Sequence, residues 1–313
     1  MITELSDHVF WTLVAIYGLL VMASIIVGVM SKIRPETDFS ELVARVKTWW
    51  VMVAVFTLVM VVNRNVSLVF FAFLSFLALK EYLSLIPTRR ADRRVLFWAY
   101  LSIPVQYFWV FDQYYGMFII FVPVYIFLLL PLRMILVGET RGFLKAVGTL
   151  HWGLMVTVFS ISHLAFLLVL PDAVNPNGGA AALVLFLVGL TQFNDVAQYC
   201  WGKAFGRHQV VPTVSPNKTV EGLLGGMITT TVLAVVLAPR LTPFGHREAL
   251  MAGIILSLGG FVGDIVISAV KRDLDIKDSG DLLPGHGGIL DRIDSLTYTA
   301  PLFFHFVRYL YLP

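Results

Sequence analysis

The sequence predicts an all-α, polytopic helical membrane protein with about ten (8–10) transmembrane helices and active-site loops on the cytoplasmic side. Three observations lead there. The 313 residues are 58% hydrophobic and only 14% charged, with a mean hydropathy of +0.81. Several runs of about twenty apolar residues match a hydrocarbon layer roughly 30 Å thick, and lipid offers a spanning backbone no hydrogen-bond partner but itself, which selects helices. Finally, Lys and Arg alternate between successive connections. The segments 31–47, 88–94, 138–149, 195–221 and 271–293 hold 17 of them, against Arg64, Arg240, Arg247 and Arg308 on the opposite side. That asymmetry places the basic set in the cytoplasm and favours an even number of spans.

Taken in order, helices are expected near 8–30, 48–63, 66–87, 95–112, 115–137, 150–170, 178–194, 222–239, 249–271 and 294–312. The first follows an acidic start, Met1 to Asp7, and is long enough to span, so it reads as a retained helix rather than a cleaved signal peptide. The second is short and meets the third through a tight Asn63-Arg64-Asn65 connection. The Lys80-Glu81 pair near the end of the third snorkels to the interface or pairs sideways. Arg89, Arg90, Arg93 and Arg94 form a basic cluster that topology alone explains, with attraction of anionic lipid as a second role. In the sixth helix His163 reads as a hydrogen-bonded interhelical side chain. The chain divides into 1–190, mostly apolar helices with short basic loops, and 191–313, which carries the distinctive chemistry. Cys200 is the one cysteine, so an intramolecular disulfide is excluded, and a net charge of +3 argues no case for nucleic acid.

The chemistry-bearing residues lie in three stretches. The seventh span ends in Asn194-Asp195, with Gln198 one turn on; these are either a polar helix end meeting water or ligands for a metal or a nucleotide. In the second stretch, Ser215-Pro216-Asn217-Lys218-Thr219-Val220-Glu221-Gly222, Ser215 is expected to cap a helix that begins after Pro216, with Glu221 completing the cap. Lys218 near the positive end of that helix dipole is unfavourable unless an anion is bound there. The third runs from Asp264 to Asp294. Asp264 lies roughly 10 Å along its helix from Lys271. A carboxylate at that depth is either functional or half of an intramembrane salt bridge. Asp264, Ser268 and Lys271 share one stripe, and Gly259, Gly260 and Gly263 let a neighbouring backbone or a ligand approach closely. The turn Pro284-Gly285-His286-Gly287-Gly288 can aim backbone N–H groups at an anion. Past it, Asp291 and Asp294 stand at i and i+3 and can reach one ion, although dipole stabilisation of a helix start would place them there equally well.

Together these residues resemble the phosphatidate cytidylyltransferases, or CDP-diacylglycerol synthases. Ser268, Lys271-Arg272, Lys277-Asp278, Gly280, Pro284, His286-Gly287-Gly288, Asp291-Arg292 and Asp294 fit that family's long signature without a gap, Ser215 to Gly222 is similar to its second motif, and Asn194-Asp195 to its third. The chain departs from the pattern at Gln198, where a small residue is usual, and at Asn217, where Lys or Gly is common. The resemblance implies transfer of the cytidylyl group of CTP to phosphatidic acid, dependence on Mg²⁺ with a second, monovalent cation such as K⁺, a homodimer, and a multi-pass protein of the bacterial inner membrane. It implies that Asp264, Asp291 and Asp294 hold the metal. Lys271, Arg272, Lys277 and Arg292 would then neutralise phosphates, with Asp278 and His286 beside them. Asn194, Asp195, Ser215, Lys218, Thr219, Glu221, Ser268, Gly287 and Gly288 would bind substrate. The rival readings are a CTP-dependent polyprenol or lipid kinase, a related enzyme acting on another phospholipid, a transporter, and a catalytically silent lipid-binding relative. The absence of an inverted repeat speaks against the transporter.

Overall fold

The computed structural model describes residues 6–34, 36–87, 89, 92–283, 285 and 287–312. Arg90, Pro284, His286 and the acidic start 1–5, all weighed above, lie outside them. Ten helical rods run through the described residues: α1 Asp7–Ile33, α2 Ser40–Val62, α3 Arg64–Leu85, α4 Arg93–Phe111, α5 Tyr115–Ile135, α6 Phe143–Leu167, α7 Gly179–Phe205, α8 Val220–Leu241, α9 His246–Asp273 and, after the short turn α10 Leu290–Ile293, α11 Leu296–Tyr311. Eight of the ten are long and apolar enough to cross a membrane; α4 and α11 are shorter. The protein is a multi-pass helical membrane protein, and each rod answers to one expected span.

Local chemistry sets the ends. Ser6 accepts from the Val9 N–H at 3.4 Å to cap α1. Asn63 alone separates α2 from α3 and caps the latter by accepting from the Asn65 N–H at 2.8 Å. α1 and α2 turn Trp11, Leu19, Ile25, Val51 and Leu58 outward, as helices facing lipid do, whereas α6 and α7 are largely buried. The centre of the bundle is aromatic and aliphatic. Phe118, Phe166 and Phe304 meet with centroids 4.5 to 5.9 Å apart, in tilted or edge-to-face contacts. His163 is fully buried among Phe118, Phe159 and Phe304, and its Nδ1 lies 2.8 Å from the Phe159 carbonyl of its own helix.

Several boundaries differ from expectation: α2 and α6 begin at Ser40 and Phe143, ahead of the expected 48 and 150, and two further differences bear on the site. α7 does not stop at residue 194 but continues to Phe205, so Asn194 and Asp195 lie inside the helix. Their polarity is met by neighbouring helices rather than by water. Likewise, no helix begins after Pro216. Ser215–Thr219 is a strand, β2, antiparallel to β1 Gln209–Val211, with Gln209 opposite Thr219 and Val211 opposite Ser215. A residue before proline avoids helical backbone angles, which favours the extended path at Ser215. Thr219 takes the capping role instead, accepting from the Gly222 N–H at 3.1 Å as α8 starts. Arg89, from the basic cluster, is also more than a topology signal. It pairs with Asp92 at 2.5 Å and donates to the carbonyls of Glu139 and Arg141, tying the α5–α6 connection to the start of α4.

The C-terminal part of the bundle is held by close packing of α7, α8, α9 and α11. A Cβ on Gly263 of α9 would run into the Asp294 carbonyl and stand 3.0 Å from Ser295 Cα. The small-residue stripe therefore brings the α9 backbone against the entry to α11. Gly263→Ala is expected to push these apart and cost about 1–3 kcal/mol of stability through overpacking. Thermal unfolding in detergent would check it, and an unchanged midpoint would show that α11 yields freely.

Candidate active site

One cavity of about 200 Å³ collects the charged residues. Asp195 of α7, Asp264 and Lys271 of α9, Asp278 of the connecting loop, and Asp291, Arg292 and Asp294 around α10 line it, with Gln192. Residues 100 positions apart in the chain thus face one space because α7, α9 and α11 pack side by side.

Lys218 reaches this cluster from the hairpin. Its Nζ pairs with Asp264 at 2.5 Å, and both side chains are about one-fifth exposed. Burial works against the Lys218 charge, but Asp264 and Asp195 outweigh it and hold the ammonium above its ordinary range. The apparent conflict between a lysine and a helix N-terminus is thereby answered by a carboxylate of α9. Ser268 donates to Asp264 at 3.2 Å from the next turn.

Asp291 organises the loop. One oxygen accepts from Lys271 at 2.7 Å; the other accepts from the Ser279 N–H, the Ser279 hydroxyl and the Gly288 N–H at 2.8 to 2.9 Å. Burial would raise this carboxyl, but Lys271 and the Gly288 and Ser279 N–H groups prevail and hold it below the ordinary carboxylate range. Gly287, at φ +78°, sits against the same carboxylate, where a Cβ has no room.

Asp195 and Asp294 are differently placed. Asp195 accepts from the Ser295 hydroxyl at 3.0 and 3.2 Å, and Asp294 accepts from the Ser295 N–H at 2.7 Å. Neither has an ion-pair partner among the described residues. Among those residues no three His, Cys, Asp or Glu side chains form a ready-made metal cage. A Mg²⁺ ion is usually held by one or two carboxylates together with substrate phosphates and water. Asp264, Asp294 and Asp195 could hold such an ion; in the arrangement seen, the oxygens of Asp264 accept from Lys218 and Ser268, and those of Asp291 from Lys271, Ser279 and Gly288.

Several expected site residues stand elsewhere. Asn194 is fully buried and its amide is spent within the bundle, donating to the Ser257 carbonyl and accepting from Ser257 and Thr230 hydroxyls. It joins α7, α8 and α9. Glu221 accepts from the Arg207 and His208 N–H groups and sits 2.6 Å from His208 Nδ1, which secures the hairpin. Arg272 donates to the Val214 and Ile276 carbonyls, pinning the hairpin turn to the end of α9. Thr219 is the α8 cap, and Ser215 pairs in the hairpin with Val211. Lys277 is exposed and outside the cavity lining.

The residue that sequence reading missed is Glu81. It neither snorkels nor pairs sideways. From α3 its carboxylate accepts from the Ser279 hydroxyl at 2.5 Å and from the Ile289 and Leu290 N–H groups at 2.8 and 2.9 Å. It caps α10 and, through Ser279, touches the Asp291 network. The signal available beforehand was a carboxylate near the end of a span that leads into a basic loop, close in sequence to no signature motif.

The sequence model of the group described as the cytidylyltransferase family matches residues 43–310. The chain is 47% identical over 298 residues to a protein of Escherichia coli K12 called "Uncharacterized protein YnbB", covering 95% of this chain and 98% of that one. It is 46% identical over 112 residues to the phosphatidate cytidylyltransferase of Bacillus subtilis and 40% identical over 121 residues to that of Staphylococcus aureus. These two matches span 41% and 46% of the relatives' own lengths, less than half of each.

Proposed function

The chain belongs to the cytidylyltransferase family and is a nucleotidyltransferase; from that premise we propose that it transfers the cytidylyl group of CTP to phosphatidic acid, releasing pyrophosphate, at the cytoplasmic face of a bacterial inner membrane. The observation that carries this reading is the single cavity in which carboxylates of α7, α9 and α10 meet Lys271 and Arg292.

The nucleophile is a phosphate oxygen of the lipid, already ionised at neutral pH, so no general base is required. It attacks the α-phosphorus of CTP. The new P–O bond forms as the bond from that phosphorus to the bridging oxygen of the β-phosphate breaks, and the electron pair leaves with pyrophosphate. The protein's contribution is alignment and charge neutralisation. Lys271, fixed by Asp291, and Arg292 face the phosphates. Lys218, fixed by Asp264, guards the hairpin side, and the Gly287-Gly288 backbone brings N–H groups close by. Asp264, Asp294 and Asp195 would hold a Mg²⁺ ion, which would add to the neutralisation of the nucleotide's phosphate charge. A monovalent cation and a second copy of the chain belong to the same reading.

The test is purified protein in detergent with CTP labelled at the α-phosphate, phosphatidic acid and Mg²⁺, followed by organic extraction. Label in the lipid phase with pyrophosphate released is expected, and EDTA is expected to abolish it until Mg²⁺ is restored in excess. Release of CDP with added polyprenol, and no labelled lipid, would replace this reading with γ-phosphoryl transfer.

A further inference from the structure

An apolar groove of about 440 Å³ lies between α1 and α2 on one side and α3 and α7 on the other. Leu13 and Ile16 of α1, Phe56 of α2 and Gly189 of α7 line it, and its polar end is formed by Gln192 and Arg292. Those last two residues also line the charged cavity. The two spaces therefore adjoin, with one glutamine and one arginine as their common wall. Arg292 Nε is buried without a hydrogen-bond partner among the described residues, and no carboxylate among them pairs with the group. At the mouth of an apolar groove, a half-buried guanidinium whose Nε lacks a hydrogen-bond partner, near Asp195 and Asp294 but in no ion pair with them, suits an anionic head carried on an apolar body.

We infer that this groove seats an acyl chain of the lipid acceptor, with the acceptor's phosphate at Arg292, and that α1 is a specificity wall of the site. This rests on the reading above that the acceptor is a phospholipid. The family match begins at residue 43, so α1 and the start of α2 lie outside it. Leu13 and Ile16 nonetheless form part of the groove wall. The wall that an acyl chain meets is thus contributed partly by a helix beyond the matched region. Gly189 gives a direct handle, because a Cβ there meets nothing within 4 Å. A large side chain at that position enters the groove without displacing backbone.

Two measurements test this. The first needs no turnover: phosphatidic acid carrying a diazirine midway along one acyl chain is photolysed with the wild-type protein in nanodiscs. Label is expected in peptides of α1, α2 and α7, displaced by excess dioleoyl phosphatidic acid but not by phosphatidylcholine. Label spread evenly over all lipid-facing helices, or displaced equally by both lipids, would overturn the inference. The second compares dioleoyl with dihexanoyl phosphatidic acid in Gly189→Phe and, from the opposite wall, Ile16→Trp. The ratio of their KM values is expected to rise at least tenfold in favour of the short-chain acceptor, with the KM for CTP as a folding control. An unchanged ratio in both variants would overturn it. A wild-type protein that binds the probe at the groove yet forms no CDP-lipid would instead count against the reaction assigned above while supporting the groove.

Discussion

Asp291→Asn is expected to lower kcat by at least ~100-fold, the scale of losing a preorganised charge-stabilising group. The reason lies in how the two oxygens are used. One receives Lys271 and the other receives three donors from Ser279 and Gly288. An amide has a single acceptor oxygen, so either orientation turns an N–H₂ group against a donor. Lys271 then loses the partner that aims it into the cavity. Its side chain is 13% exposed and that of Asp291 only 3%, so the pair is buried, and breaking it costs about 3–5 kcal/mol. Turnover and thermal unfolding are therefore to be measured on the same sample. Near-normal kcat in a folded variant would remove Asp291 and Lys271 from the chemistry.

Glu81→Ala is expected to reduce kcat by about 100-fold, with a much smaller change in the KM for CTP. Glu81 makes no hydrogen bond to a residue proposed to contact the nucleotide; it packs against Gly288 and positions the loop that bears it. Displacement of such a loop by about 1 Å is enough for a loss of this size. Glu81→Gln keeps one acceptor oxygen and should lie between Ala and wild type. Because Glu81 and Asp291 share the Ser279 hydroxyl, the double variant Glu81→Ala/Asp291→Asn should lose less than the product of the single effects. Simple multiplicativity, or a Glu81→Ala kcat within threefold of wild type, would show that α3 does not hold the loop.

The architecture was legible in the chain because lipid makes a simple demand. Each span must be apolar and must satisfy its own backbone, so the hydropathy pattern marks the existence of every rod, though not the polar ends of α2, α6 and α7, and Asn63 and the basic loops mark the turns. Ser215 and Asn194 show where such reading stops. Ser215 has the composition of a helix cap, yet the cap is Thr219, since the proline and the pairing with Val211 keep the segment extended. Asn194 has the composition of a ligand, yet its amide is spent between α7, α8 and α9.

The set of charged residues around Lys271 and Asp291 could be picked out from the linear sequence, since charge among apolar spans is costly and stands out. Their partners could not. Lys218 meets Asp264 only because the hairpin folds over the end of α9, and Glu81 meets Ser279 across 198 residues. Local patterns report on burial and on the next helical turn. Which carboxylate neutralises which cation depends on how distant helices pack, and that was decided by the tertiary structure, where Gly263 lets α9 approach the entry to α11 closely enough to close the site.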